Sequence, residues 1–578
     1  REACGALHLL DDDLEFIHAI NEVALLGSGY SIRQMFADLL MSNTISDPFN
    51  VWSELNDVLV DSILFEKRTL LKDPDLVISS EELEQPCLLD IDNFLRDNGK
   101  YLDDYDCMPK LYMLFEEHIS NLNAEQMAAY HEIISTVDSG VGAMFFVDGY
   151  GGTGKTHLWK TISYKLRYEG KIVLNVASSG IASILLPGGR TAHSLFGLPL
   201  ALSKESCCKI VKNSDKAQVL IMASLIIWDE APMINKFAFE AFHRTLQDVM
   251  SDVGIKNADL LFGGKTVVLG GDFRQILPVV PKGNRADIVH ATINSSYLWR
   301  SCRVLRLLIN MRLQYSSIQV ENESVINFAK WILDIGDGKI GDIMDGESIV
   351  EIPHDILVHN ITNPIGDIVD AIYPDFLKNM FVSNFFEDRA ILCPTLEVVE
   401  QVNNYVLSLI PGEDREYLSC DSVSRCDNDS IIDHRWITTE FLNEIKCSGL
   451  PNHSLILKIG VPVMLLRNVD VSAGLCNGTR LTVTYLGESV IGARIVTGKY
   501  VGNVVYLARM RLFPSDANVS ISFQRRQFPL CVCFAMSINK SQGQTLGHVG
   551  LYLFRLVLTW AVICSCIKSE DPIWVEDT

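Results

Sequence analysis

One stretch constrains this chain more than any other. Phe145-Phe146-Val147-Asp148 reads as a strand, Gly149-Tyr150-Gly151-Gly152-Thr153-Gly154-Lys155-Thr156 follows as a glycine-rich loop, and a helical segment comes next. Strand, loop and helix N-terminus in that order form a phosphate cradle. Glycines let backbone N–H groups curl around the anion, and the positive end of the helix favours it. Lys155 has the length to reach the β and γ phosphates, and the Thr156 hydroxyl is placed to ligate Mg²⁺. By composition the bare pattern arises by chance in about one chain of this length in fifty, so it needs support from elsewhere.

Support comes from Leu225-Ile226-Ile227-Trp228-Asp229-Glu230, an apolar strand that ends in two adjacent carboxylates. Acids after a strand commonly cap the next helix. Beside a phosphate loop they suit a second task, in which Asp229 holds the metal and Glu230 orients or deprotonates the attacking water. A third strand, Thr266-Val267-Val268-Leu269, leads through Gly270-Gly271-Asp272-Phe273-Arg274 to Gln275, whose amide is a candidate γ-phosphate sensor. Leu307-Leu308-Ile309-Asn310-Met311 then delivers Arg312, either a surface residue or an arginine finger.

With 578 residues, 48% hydrophobic and 21% charged, the chain predicts two to four domains. A net charge of -23 argues against indiscriminate adhesion to nucleic acid but leaves room for one groove lined with Lys and Arg. The 15 cysteines include no C-x-x-C pair, so reduced thiols in an intracellular protein are expected rather than a zinc site. The start at Arg1, without Met or an apolar leader, is read as a fragment of a longer product. Leu551 to Ile567 is interrupted by Arg555 and is too short to span a membrane. Residues 1–70 carry helical periodicity and are followed by an acidic stretch, read as a linker, to Asp106. From 126 to 309, β-rich runs alternate with helical segments, the pattern of a parallel sheet with helices on both faces. Residues 411–455 read as polar and irregular, and the runs between 478 and 528 as a small β-barrel insert.

Taken together these motifs resemble the PIF-type helicases of superfamily 1B, especially those of plant Helitron transposons. The resemblance also rests on Leu122-Asn123-Ala124-Glu125-Gln126, Ala177-Ser178-Ser179-Gly180-Ile181-Ala182 and Gly189-Arg190-Thr191-Ala192-His193-Ser194-Leu195-Phe196. It continues through Gly460 to Asn468, Asn477-Gly478-Thr479-Arg480 and Ala535 to Leu546. It implies an α/β fold with two RecA-like lobes, 107–305 and 306–578, behind a helical N-terminal segment, 1–106. It implies ATP and Mg²⁺ as cofactors, with Gln126 on adenine, Gly149, Gly151, Gly152, Thr153, Gly154 and Lys155 around phosphate, and Thr156 and Asp229 on the metal. Glu230 becomes the base, Gln275 the sensor and Arg312 the finger. His193, Ser194, Phe196, Lys540, Ser541 and Gln542 would lie near single-stranded or forked DNA. The implied activity is 5′ to 3′ unwinding, in a nuclear setting of repair, recombination and telomere maintenance.

The resemblance breaks at the tail. Where the family continues with an arginine-bearing segment, this chain has Thr559 to Ser569, and no Arg follows Arg555. Shifting the frame by one nucleotide permits codons that spell the family segment through 559–578, so a tail out of frame is expected. Two other readings are a relic that binds ATP and DNA without turnover and an unrelated P-loop kinase, the latter with no account of Ala535 to Leu546.

Overall fold

The computed structural model describes residues 13–553 and 571–576, except 25–28, 43, 71–79, 99, 106–107, 110–117, 255–256, 258, 282, 312–321, 341–349, 359–362, 383–384, 424–437, 448, 471–472, 498–500, 515–522 and 545. The chain divides into two compact units, 1–127 with 157–172, and 128–156 with 173–578.

In the first unit, helices α1 (Leu14–Ala24), α2 (Gly29–Met41), α3 (Pro48–Leu70) and α4 (Ser80–Asp97) bury Ile20, Phe36, Trp52, Leu59, Leu88 and Leu95 in one core. Pro48 opens α3, where its missing N–H costs nothing. The Asp13 carboxylate accepts from the Ser46 and Asp47 N–H groups at 2.8 and 2.7 Å just before it. Arg33, 1% exposed, is held by Asp90 at 3.1 Å and the Leu59 carbonyl at 3.1 Å. The α4 helix corrects the expected linker. Leu83, Cys87, Leu88, Ile91 and Leu95 recur at helical spacing and are all buried, while the acids between them supply the polar composition. Two further helices, α5 (Ala124–Ser139) and α6 (Lys155–Tyr168), each run through a division between the units.

The second unit holds a six-stranded sheet made from β1 (Met144–Gly149), β2 (Ile172–Ala177), β3 (Arg190–Thr191), β4 (Ala223–Asp229), β5 (Thr266–Gly271) and β6 (Cys302–Leu307). Its order is β3-β2-β4-β5-β1-β6, and the registered pairs of β1 with β5 and β6, of β4 with β5 and of β2 with β3 are all parallel. Central strands that are apolar along their whole length match burial on both faces: β4 and β5 are buried almost throughout. The β6 strand carries the first lobe two residues past the expected boundary at 305.

A second parallel sheet runs in the order Ala535–Ser537, Arg389–Cys393, His548–Leu553, Asp571–Glu576, Leu357–Val358. Two parallel sheets with flanking helices give the α/β, RecA-like architecture. The expected tail lesion falls largely on 559–570 and 577–578, outside the described residues.

Antiparallel strands form the insert. Val504–Ala508, Val490–Ile495, Arg480–Leu486, Pro462–Leu465 and Leu530–Val532 make a five-stranded sheet in that order. The three strand runs expected between 478 and 528 are present as antiparallel strands, and their sheet begins earlier, at Pro462. The stretch 411–455, expected to be irregular, contains strands Arg415–Leu418, Cys420–Val423 and Ser454–Leu457 and a helix Thr439–Glu444. Asp421 there forms an ion pair with Arg525 at 2.7 Å, with side chains 0% and 1% exposed. Arg525 also donates to the Leu442, Ile445 and Pro451 carbonyls, so the buried charge is compensated on several sides.

Cys207, Cys393 and Cys533 are among the free thiols. Among the described residues there is no His, Cys, Asp and Glu cluster of metal-binding size, and no helix long and apolar enough to cross a membrane.

Candidate functional site

Parallel pairing brings three strand ends to one edge of the first sheet. Asp148 of β1 stands opposite Gly271 of β5, and Trp228 of β4 opposite Leu269. Ligands of such sheets bind beyond the carboxyl ends of the strands.

The glycine-rich loop leaves β1 and closes on itself: the Thr153 N–H and hydroxyl both donate to the Tyr150 carbonyl, at 3.3 and 2.9 Å. The Lys155 ammonium donates to the Gly149 carbonyl across the loop. Gly152 and Gly154 have φ of +94° and +79°, a region side chains rarely enter. A second segment straps the loop from outside. The Tyr150 hydroxyl donates to the Leu308 carbonyl at 2.7 Å, and the Met311 N–H donates to the Gly152 carbonyl at 2.9 Å. Sequence reasoning missed Tyr150 and Met311, because a contact between segments 158 residues apart leaves no local signature.

At the end of β4, Asp229 is 7% exposed and its Oδ1 has no hydrogen bond. A buried carboxylate oxygen without a donor suits a cation. Glu230 follows with φ +52°, a left-handed conformation that costs a non-glycine residue about 1–3 kcal/mol and turns the chain sharply off the strand. The Asp229 carbonyl is fixed by the Ser178 N–H and hydroxyl at 3.2 and 3.4 Å, and Trp228 Nε1 donates to that hydroxyl at 3.2 Å. At Gly271 a Cβ would collide with the Pro232 ring, so the third strand passes the carboxylate turn only as glycine.

Beyond β5, Asp272 is 2% exposed and accepts from the Arg274 N–H at 3.0 Å and from Nη1 at 3.3 Å. The half-buried Gln275 donates its N–H to the Asp272 carbonyl at 3.1 Å. Burial, then the neighbouring Asp272 charge, pushes the Asp148 carboxyl above its ordinary value, against Arg274, Lys155 and Arg306. Asp148, a neighbour of both Lys155 and Asp272, is thus an acidic group beside the phosphate loop to which the sequence assigned no role.

The other expected residues divide. Gln126 is fully buried at the start of α5, where its carbonyl accepts from the Asn123 N–H at 3.0 Å and its own N–H donates to Asn123 Oδ1 at 2.9 Å. This reciprocal cap accounts for the asparagine and glutamine in the motif. Arg312 lies outside the described residues. On the short helix Ala192–Phe196, Ser194 is exposed and His193 half-buried, with burial lowering its pKa. Phe196 requires a correction: it is 0% exposed and stacks on Phe242 at 3.9 Å, with Trp228 at 5.5 Å, so no ring face is available to a base.

Lys540 donates to Asn477 Oδ1 at 2.8 Å, and burial pushes its ammonium pKa down. Ser541 donates to the Ile538 carbonyl at 2.8 Å, while Gln542 is 6% exposed with neither end of its amide bonded. Three motifs distant in sequence meet here. A Cβ on Gly478 would lie 2.6 Å from Ile181 Cδ1, and one on Gly543 would lie 3.3 Å from the Ala182 nitrogen.

Comparison with known proteins adds two family matches, PIF1-like helicase over residues 121–346 and the 2B domain of DNA helicase Pif1 over 440–486. The ATP-dependent DNA helicase PIF1 of Xenopus laevis is 25% identical over 436 residues, which cover 75% of this chain and 58% of that protein. The chain therefore spans less than two thirds of the length of this vertebrate relative. ATP-dependent DNA helicase Pif1 of Bdellovibrio bacteriovorus is 25% identical over 445 residues, 77% of this chain and 84% of the relative. Among solved structures, Pif1 helicase from Candida albicans superposes with a TM-score of 0.53 at 21% identity, covering 79% of this chain and 95% of its own. Bacteroides Pif1 bound to single-stranded DNA gives 0.52 at 21% identity, covering 77% and 91%. At these identities the superpositions establish the fold.

Proposed function

This chain belongs to the PIF1-like helicase family, and from that premise we propose that it is an ATP-dependent DNA helicase that moves 5′ to 3′ on single-stranded DNA. One observation carries the reading: the phosphate loop, the Asp229-Glu230 turn and the Gln275 loop leave adjacent ends of one parallel sheet, and the buried Asp229 Oδ1 there has no donor.

In this reading Lys155 exchanges the Gly149 carbonyl for the β and γ phosphates, and the loop N–H groups hold the remaining oxygens. Thr156 and Asp229 are the residues that would hold Mg²⁺, which when bound neutralises phosphate charge. Glu230 takes the proton of the attacking water, Gln275 contacts the γ phosphate and Arg312, one residue beyond Met311, serves as the finger. His193, Ser194, Lys540, Ser541 and Gln542 face the DNA backbone, for which hydroxyl, amide and ammonium groups are suited. Single-stranded and forked DNA are the proposed partners, and nuclear repair, recombination and telomere maintenance the proposed setting.

The test is steady-state ATP hydrolysis with and without single-stranded DNA. The wild-type chain should be strongly stimulated by DNA, and Lys155→Ala should abolish turnover. DNA affinity should also fall steeply with salt despite the net charge of -23, because backbone contacts release counterions. Hydrolysis indifferent to DNA would overturn the reading.

A further inference from the structure

The loop that carries Gln275 is held by both lobes, residue by residue. On its N-terminal side Asp272 is buried, and the Phe273 ring stacks on Phe146 of β1 at 4.9 Å and meets Trp299 at 5.7 Å. These are first-lobe anchors. From Arg274 onward the partners change. Arg274 Nε donates to Asp337 Oδ1 at 2.6 Å, across 63 residues of sequence. Ile276, 9% exposed, packs in a cluster with Ala390, Leu392, Met464 and Leu551, which belong to the second-lobe sheets.

Asp337 itself stands in an unusual place. It directly follows the helix Asn322–Gly336, and its N–H donates to the Leu333 carbonyl at 2.9 Å. The C-terminal end of a helix repels an acid. Two cations offset this: Arg274 and, from the exposed side, Lys339 at 2.7 Å. Burial alone would raise the Asp337 carboxyl pKa, but the hydrogen bonds from Lys339 and Arg274 outweigh it and hold the group below its ordinary value. The helix is seated through Ile332 and Ile335, both 0% exposed, and through Trp331, which packs against the same cluster as Ile276. An ionic and an apolar anchor from the second lobe thus bracket Gln275.

We propose that Asp337 is a positioning residue: through Arg274 it ties the Gln275 loop to the second lobe, so that movement of that lobe on DNA sets where the Gln275 amide lies. The inference rests on the ATPase reading above. It assigns to a residue outside every motif of the sequence the task of passing DNA occupancy to the phosphate site. Two discrete anchors on either side of one amide are what such coupling requires, since a packed joint moves as a unit.

The experiment compares DNA-stimulated with DNA-free kcat for ATP in the full chain. Asp337→Asn should lower the ratio about tenfold, within the usual range of coupling between sites, with KM for ATP little changed. A ratio is independent of the fraction of active protein, so partial misfolding does not mimic the effect. Lys339→Ala, which removes the other partner of Asp337, should leave the ratio at its wild-type value. Arg274→Gln alone and Arg274→Gln with Asp337→Asn should have the same ratio, because Asp337 acts through that guanidinium. A wild-type ratio in Asp337→Asn, or a further drop in the double variant, overturns the proposal. A wild-type chain that DNA does not stimulate overturns the ATPase reading with it.

Discussion

The Met311 N–H donates to the Gly152 carbonyl at 2.9 Å, and the Asn310 side-chain oxygen occupies the space a Cβ on Gly152 would need. The phosphate loop is therefore shaped from outside as well as by its own glycines. Gly152→Ala meets both the Asn310 side chain and a φ of +94°, a combination that costs on the order of 1–3 kcal/mol. Nucleotide affinity should fall at least tenfold in a fluorescent-nucleotide titration, with a lower melting temperature. Gly151 has open space around its Cβ position, so Gly151→Ala should keep the wild-type melting temperature. Equal melting temperatures for the two variants would show that Asn310 does not shape the loop.

Glu230 and Asp229 are adjacent but differently placed, one on a strained turn and half-buried, the other at the strand end and buried. Glu230→Gln preserves size and removes basicity. Turnover should drop about 10²–10⁴-fold while nucleotide binding persists. If binding vanishes with turnover, the carboxylate maintains the turn rather than the chemistry.

The site was legible where its signal is local. Strand, glycine spacing and terminal carboxylates lie within a few residues of one another, and parallel pairing then brings Asp148, Asp229 and Gly271 to one edge. What escaped the sequence is held by distant partners: Tyr150 by Leu308, Arg274 by Asp337, Asp421 by Arg525. The helix Ser80–Asp97 escaped for a different reason, since Pro86 and a run of acids obscure an apolar face that is periodic throughout. The insert's strands were readable from alternation, but their pairing was not. The sheet takes in Pro462–Leu465 and Leu530–Val532, which lie outside the stretch that announces it.

Phe196 tests core against contact. Its ring is buried in an aromatic cluster with Phe242, Trp228 and Phe239. Phe196→Ala should destabilise the chain by about 3–5 kcal/mol in denaturant titrations. The protein that remains folded should bind DNA with wild-type affinity. The exposed Ser194 offers the opposite case, and Ser194→Ala should leave stability unchanged. A selective loss of DNA affinity in Phe196→Ala, with stability intact, would restore the contact that burial argues against.

His243 makes stability depend on pH in a direction that follows from one bond. Its Nδ1 accepts the buried Phe262 N–H at 3.0 Å, and the ring packs edge-on to Phe262 and Tyr297 at 5.2 and 6.1 Å. A nitrogen that accepts a backbone N–H cannot carry its own proton, and burial, with a smaller contribution from Arg244, pushes the imidazole pKa down to about 4. The unfolded chain binds that proton near pH 6.5, so between about 6.5 and 4 it holds more protons than the folded one. Stability contributed by the neutral ring is therefore complete above pH 6.5 and is lost progressively as the pH falls toward 4. The burial-lowered His118, also brought to about 4, adds to the slope in the same sense. His243→Gln can keep an acceptor for the Phe262 N–H but cannot titrate. Melting temperatures measured from pH 7.5 to 4.5 should fall less steeply for this variant than for wild type. Parallel curves would mean that the imidazole keeps an ordinary pKa and that another group accepts the Phe262 N–H.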